Sequence, residues 1–282
     1  MTLRVLIAGC GDLGLGVVSA LAHTRFDIHG LRRSAQPCPN GVTAVQADVT
    51  RPDSLRALRT LRPDVLLYCV AADAQTDDSY RMHYVEGLRN ILASLDPAHL
   101  RHVFFVSSTR VYGQRADVLL DESTPAVPAD FGGERLLQAE GLLQGLACAT
   151  TVLRLSGIYG SGRTRMLRLA ADPQRWPAEN AWSNRIHRDD AATFTAFLIE
   201  RVAAGMPVDP LYLVTDDLPV PQQEVLRWIA GQLGVDITQM PVMPVSGGKR
   251  LSNQRLRATG FELAYPDYRA GYGQMLRSGH EA

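Results

Sequence analysis

Cysteine is scarce in this chain. Four occur in 282 residues, Cys10, Cys38, Cys69 and Cys148, and no two form a Cys-x-x-Cys pair. That spacing argues against a disulfide scaffold or a zinc site and favours free, buried thiols; no metal centre is expected. An excess of either charge is also missing, since 29 Lys and Arg residues balance 29 Asp and Glu. No bulk field is then present to draw nucleic acid or an anionic membrane. Long apolar runs are absent too, none reaching the roughly 18 residues needed to cross a bilayer. Residues Met1 to Ile7 lead straight into a strand without a basic segment or cleavage signal, so the expectation is a soluble, cytoplasmic protein. Internal repeats, heptads and low-complexity tracts do not occur.

What is present is an ordinary globular composition, 46% apolar and 21% charged, on a chain long enough to bury a core without staples. The first half alternates compact apolar runs with helical patterns. Strands are expected at Arg4–Ala8, Phe26–Leu31, Thr43–Gln46, Val65–Ala71, His102–Ser107 and Thr151–Leu155. Helices are expected at Leu13–His23, Ser54–Leu61, Ser79–Leu95 and Phe131–Leu146. Such alternation implies parallel strands joined by right-handed crossovers, with helices on both faces. After Gly160 the rhythm breaks into proline-punctuated segments, with helices expected near Asp190–Ala203 and Gln222–Leu233.

The first expected strand ends on Gly9-Cys10-Gly11-Asp12-Leu13-Gly14, a G-x-G-x-x-G turn that opens a helix. In that context each glycine serves a separate purpose. Gly9 makes a sharp turn, Gly11 lets the backbone approach a pyrophosphate closely, and Gly14 allows helix–strand packing. The first helical N–H groups, from Asp12 and Leu13 onward, then face the anion. The fold class read from this is α/β, a Rossmann-type doubly wound parallel sheet with a smaller C-terminal α/β substrate lobe. The expected division is an NAD(P)-binding domain over 1–160 and the lobe over 161–282, the chain returning to the sheet near 211–215. Where an NAD site would offer an acidic residue after the second strand, this chain has Arg32, Arg33 and Ser34. Guanidiniums and a hydroxyl suit a 2′-phosphate, so NADP is favoured over NAD. A solvated arginine pair is the plain alternative. Asp48, past the third strand, is placed for the adenine, and Val70, Ala71 and Ala72 for the flank of the cofactor.

Further motifs in order resemble the extended short-chain dehydrogenase/reductases of the NAD-dependent epimerase/dehydratase group. Ser107-Ser108-Thr109-Arg110-Val111-Tyr112-Gly113 is similar to its Ser-Ser-x-x-Val-Tyr-Gly strand end. Glu122 to Pro125, Pro128 and Ala139-Glu140 resemble the stretch around its catalytic helix. Arg154-Leu155 with Ile158 to Gly160 and Gly162-Arg163, then Ile186 to Asp190, resemble its later segments, and Gly247 to Asn253 with Tyr265-Pro266-Asp267 its closing lobe. The resemblance implies Ser108 as the hydroxyl that holds the substrate oxygen.

The resemblance also implies Tyr-x-x-x-Lys on the helix, where counting back from Ala139-Glu140 puts Phe131 and Arg135. A phenyl ring has no proton to transfer, and an arginine stays charged near neutrality. Arg135 is expected to hold ribose hydroxyls. No tyrosine lies between Tyr112 and Tyr159, so a slip of register within the helix restores none. Tyr84 stands where the family has Asn, and Ala8 replaces its first turn glycine. These departures resemble the atypical branch of the superfamily.

Tyr159 joins Ser108 and Arg135 as a candidate catalytic residue; Tyr112, His187, Glu134 and a water on Ser108 are other proton sources. Arg163, Arg165 and Arg168 suit either substrate phosphates or a solvated face, and Trp176 and Trp182 either a substrate ring or the core. The expectation is an NAD(P)-dependent oxidoreductase or epimerase/dehydratase-like enzyme whose partner is a sugar nucleotide or small carbonyl, with a homodimer as its assembly. A non-catalytic NADP(H)-binding redox sensor is the alternative, supported by Phe131.

Overall fold

The computed structural model describes residues 2–21, 25–36, 38–115 and 118–279. Strand β1 (Leu3–Ala8) is apolar and sealed from solvent over Val5 to Ala8. It turns at Gly9 into helix α1 (Asp12–Ala20), which buries Gly14, Val17 and Val18, three and one residues apart, on one face. The helix expected to reach His23 ends at Ala20 instead, because Leu21 is already extended (ψ 138°), and residues 22–24 lie outside the described residues. Strands β2 (Phe26–Arg32) and β3 (Val42–Gln46) follow. The helix expected at Ser54–Leu61 is a 3-10 segment, Pro52–Thr60, whose buried Leu55 and Leu58 sit at the three-residue spacing of that form.

Strand β4 (Val65–Tyr68) is shorter than the expected Val65–Ala71. Its neighbour β1 leaves the sheet at Gly9, so the last rung is Cys69 N–H to the Ala8 carbonyl at 2.8 Å. The single helix expected at Ser79–Leu95 is α2 (Asp77–Tyr80), a π-helical turn over Arg81–Glu86, and α3 (Gly87–Ser94). The buried Tyr68 hydroxyl donates to the His83 carbonyl and thereby claims a helix acceptor.

Strand β5 (His102–Ser108) is followed by the short β6 (Leu119–Leu120), helix α4 (Phe131–Leu143) and β7 (Ala149–Leu155). Beyond lie β8 (Gly157–Tyr159), α5 (Arg165–Ala170), β9 (Asn180–Ser183), β10 (Arg185–His187) and α6 (Arg188–Ala203). The chain ends with β11 (Leu211–Val214), β12 (Val220–Pro221), α7 (Gln222–Gln232), β13 (Val245–Gly248), β14 (Arg250–Leu251), α8 (Gln254–Ala258) and α9 (Tyr268–Gly279). Among the described residues no helix is long and apolar enough to cross a membrane.

Seven strands form the central sheet in the order β11-β7-β5-β4-β1-β2-β3. The β1–β2, β1–β4, β2–β3 and β4–β5 pairs are parallel. The order reverses at β1, where the chain leaves for β2 on one side and later returns as β4 on the other. In doubly wound sheets, the crevice beyond the strand ends at such a reversal is where ligands bind.

Two compact units are interleaved along the chain. The first comprises Met1–Gly113, Ala126–Arg154 and Ala192–Tyr212; the second comprises Gln114–Pro125, Leu155–Ala191 and Leu213–Ala282. The second unit packs around Tyr159, Trp176, Leu226, Ile229, Tyr268 and Tyr272.

Within the first unit, α4 is tied to the sheet by a buried ion pair. Arg154 on β7 donates from Nη2 and Nε to the two Glu140 oxygens at 2.6 and 3.1 Å, and from Nη1 to the Tyr112 hydroxyl at 2.6 Å. Ser107 adds a further bond to Glu140 at 2.6 Å. Removing one partner leaves the other charge buried and uncompensated. Glu140→Ala is therefore expected to lower the unfolding free energy by about 3–5 kcal/mol, read from the denaturant midpoint; a shift near zero would show that the pair does not anchor α4.

Candidate functional site

The glycine turn is built as the crevice requires. Gly9 has φ of 95°, and a Cβ there would come within 2.6 Å of the Cys69 carbonyl carbon. Its N–H and that of Cys10 both donate to the Leu31 carbonyl at 3.0 Å. The turn is thus pinned between β2 and β4. At Gly14 a Cβ would lie 2.6 Å from the Gly9 carbonyl oxygen, so glycine there lets the helix meet the strand. Gly11 differs: a Cβ added to it would meet nothing within 4 Å.

Gly11 is also the N-cap of α1 and makes no side-chain cap bond. The first-turn amides, among them those of Leu13 and Gly14, have no partner within the helix and are available to an anion in that open space. A dinucleotide pyrophosphate fits this cradle. The thiols around it are not nucleophiles. Burial pushes Cys10 up to about 11 and holds Cys69 higher still, and both are free, as are Cys38 and Cys148.

The residues proposed for the adenosine half lie at the ends of β2, β3 and β4. Arg32 donates from Nη2 to the Gln36 carbonyl. Arg33 forms a two-pronged ion pair with Asp73, at 2.5 and 2.6 Å, and Ser34 is exposed. One Asp48 oxygen accepts from the Thr50 N–H at 2.9 Å and the Thr50 hydroxyl at 2.7 Å. Val70 and Ala72 are half-buried and Ala71 is exposed.

At the end of β5, Ser108 caps a one-turn 3-10 helix by accepting from the Arg110 N–H at 3.2 Å. The first turn of α4 faces this point. Asp130 caps the helix by accepting from the Gly133 N–H at 2.9 Å. The Phe131 ring meets Tyr80 edge-on at 5.4 Å. Arg135 points elsewhere, its guanidinium held by Asp77 at 2.7 and 2.9 Å.

Two residues after Ser108, the Arg110 side chain lies against the first turn of α4. Its Nε bonds both Asp130 oxygens at 2.9 and 3.0 Å, and its Nη1 bonds Tyr80 Oη at 2.8 Å and Gln75 Oε1 at 2.9 Å. The guanidinium lies 5.1 Å from the Tyr80 ring and 5.2 Å from Phe131. A Cβ on Gly132 would come within 2.6 Å of Arg110 Nε. Arg110, Tyr80 and Asp73 were not anticipated. A signal for Arg110 existed in the Gly132-Gly133 doublet, since two glycines in a first helical turn are costly unless something must come close. Tyr112 and Glu134 are poor proton sources, the first sealed against Arg154 and the second open to solvent.

The second unit holds the remaining candidates. Tyr159 is buried, donates to the Asp267 carbonyl at 3.3 Å, packs tilted against Tyr272 at 4.5 Å and meets His187 edge-on at 5.2 Å. Burial holds its phenol far above the ordinary range and keeps His187 below its usual value. Asp216, pushed up to about 8 by burial against the opposing Arg185 charge, was also not anticipated. Arg163, Arg165 and Arg168 are exposed, whereas Trp176 lies in the core and donates to the Leu169 carbonyl at 3.0 Å. Trp182 is half-buried, with the Arg250 guanidinium 5.1 Å from its ring.

Comparison with known proteins gives a consistent result. A family model described as the NAD dependent epimerase/dehydratase family matches residues 5–209. A solved structure from Methylobacillus flagellatus, assigned as an NAD-dependent epimerase/dehydratase, is 51% identical, covers 99% of this chain and 100% of its own, and superposes with a TM-score of 0.90. WbmG of Bordetella bronchiseptica, solved in complex with NAD, is 18% identical over 98% of this chain and 94% of its own, with a TM-score of 0.74. The UDP-glucose 4-epimerase of Thermus thermophilus, also solved with NAD, is 19% identical over 95% and 96%, with a TM-score of 0.72. These last two share the fold. No match was found among curated proteins.

The contrast between Gly9 and Gly11 is testable. Gly11→Ala is expected to change stability by no more than about 1 kcal/mol while weakening dinucleotide binding about tenfold or more. Gly9→Ala is expected to lose about 2–4 kcal/mol through strain and overpacking. Denaturation curves and cofactor fluorescence titrations separate the two; a Gly11→Ala protein that binds as the parent does would remove the cradle from the site.

Proposed function

The chain belongs to the NAD dependent epimerase/dehydratase family, and on that premise we propose that it is an NADP-dependent oxidoreductase or epimerase-like enzyme of the atypical extended type, acting on a small carbonyl or a sugar nucleotide. The observation that carries this reading is the open space over Gly11 at the N-terminus of α1, pinned between β2 and β4. In this proposal Gly9, Gly11, Asp12, Leu13 and Gly14 grip the pyrophosphate. Arg32, Arg33 and Ser34 take the 2′-phosphate. Asp48 and Val70 to Ala72 flank the adenosine.

A bound nicotinamide supplies hydride transfer, and the chain's own groups position and polarise the substrate. Ser108 holds the substrate oxygen. Arg110, rather than Arg135, provides the fixed positive charge beside it: its Nε and Nη1 are locked by Asp130, Gln75 and Tyr80. A charge oriented before reaction stabilises a developing oxyanion without reorganisation. With Phe131 unable to donate, the proton comes from water on the Ser108 hydroxyl.

A second reading, a non-catalytic NADP(H) sensor, draws on the same Phe131 and on the capture of Arg135 by Asp77. NADPH consumption across a panel of carbonyls and sugar nucleotides separates the readings, because saturable binding without turnover on any of them favours the sensor. For the enzyme, Arg110→Lys is expected to lower kcat about 100-fold while changing the NADPH Kd less than about fivefold. Unchanged kcat would take Arg110 out of the reaction. NADPH is expected to bind more tightly than NADH; equal binding would contradict the cofactor assignment.

A further inference from the structure

The Arg33–Asp73 pair joins two loops that flank the glycine turn on opposite sides. Ala8, the last residue of β1, is in register with Leu31 of β2 and Tyr68 of β4. Arg33 follows two residues after Leu31, and Asp73 five residues after Tyr68. Between them, at the end of β1, lies Gly9-Cys10-Gly11. An ion pair from the β2 end to the β4 end therefore crosses the mouth of the turn, over the crevice a dinucleotide would occupy.

The bridge is well made. Arg33 Nη1 and Nη2 meet Asp73 Oδ2 and Oδ1 at 2.5 and 2.6 Å, and His83 Nε2 lies 3.2 Å from the same Oδ2. Both side chains are about half exposed, 55% for Arg33 and 49% for Asp73, so the pair is held by charge and hydrogen bonding rather than by packing. The arginine keeps the carboxyl below its usual range, and Asp73 is therefore charged at neutral pH.

We propose that Arg33 and Asp73 form a latch across the dinucleotide groove, which opens for any cofactor to seat and which favours NADP because only a 2′-phosphate gives the released arginine a new partner. This inference rests on the reading of Gly9–Gly14 as the cofactor cradle and assigns a new role to Asp73. Opening the pair for NAD breaks an attraction and returns none. Opening it for NADP exchanges a carboxylate for a phosphate on the same guanidinium. An exposed, two-pronged pair corresponds to a factor of about two to five in affinity.

The signs of the effects discriminate. Kd values for NADPH and NADH are measured by nucleotide fluorescence on the full chain, its Asp73→Ala variant and its Arg33→Ala variant. Both positions are exposed, and matching melting temperatures confirm that the variants fold. Asp73→Ala is expected to tighten both cofactors two- to fivefold. Arg33→Ala is expected to tighten NADH by a similar factor and to weaken NADPH tenfold or more. If neither variant tightens NADH, the latch is overturned, even where Arg33→Ala weakens NADPH and the cofactor reading stands. If Arg33→Ala leaves NADPH unaffected while both variants tighten NADH, the latch stands as a gate and its selectivity for NADP is overturned. Failure of every variant to bind either nucleotide overturns cradle and latch together.

Discussion

Residue 9 is pressed from both sides: the Leu31 carbonyl takes its N–H, and the backbone of Cys69 occupies the place a side chain would need. That squeeze brings β2 and β4 against the end of β1, where α1 begins. Without it the turn would lose its fixed place between β2 and β4. The positive φ at Gly9 is thus part of how the sheet is joined, and the open space over Gly11 is what the joining leaves behind.

A second constraint acts from below. The Glu140–Arg154 pair carries Ser107 and Tyr112 with it, and so connects α4, β5 and β7 through charge buried in the first unit. Ser108 follows Ser107 and Arg110 precedes Tyr112 by two residues, and Phe131 begins the helix that the network anchors. At the end of β5, Asp130, Gln75 and Tyr80 hold Arg110 through its Nε and Nη1. Such fixity suits an electrostatic role, because a charge already in place does not have to be gathered when the substrate arrives.

Strands buried on both faces leave a local imprint, and β1, β2 and β5 were accordingly legible from their apolar runs, while the half-exposed edge strand β3 was legible from its valines alone. The glycine turn was legible because its three glycines fall within six residues of chain, between a strand and the start of a helix, although the contact that requires Gly9 is made by the distant Cys69. What escaped depends on distant partners. Strand β4 stops at Tyr68 because β1 departs, which no property of Val70 or Ala71 reveals. The Pro52–Thr60 segment takes the tighter 3-10 form, although its leucines also suit an α-helix. Asp73 and Arg110 gain meaning from residues 40 and 20 positions away, Arg33 and Asp130. The sequence registers only that the adjoining glycines are odd choices for a helix.

The π-helical turn at Arg81–Glu86 has an evolutionary corollary. Such a turn accommodates one residue more than regular α-helix would between the same end points, and here the surplus is tolerated because the Tyr68 hydroxyl occupies the His83 carbonyl. A relative with phenylalanine at position 68 would lack that donor and could shed a residue from the helix without moving α3. Length variation in this helix among relatives should then track the presence of one oxygen atom on a neighbouring strand.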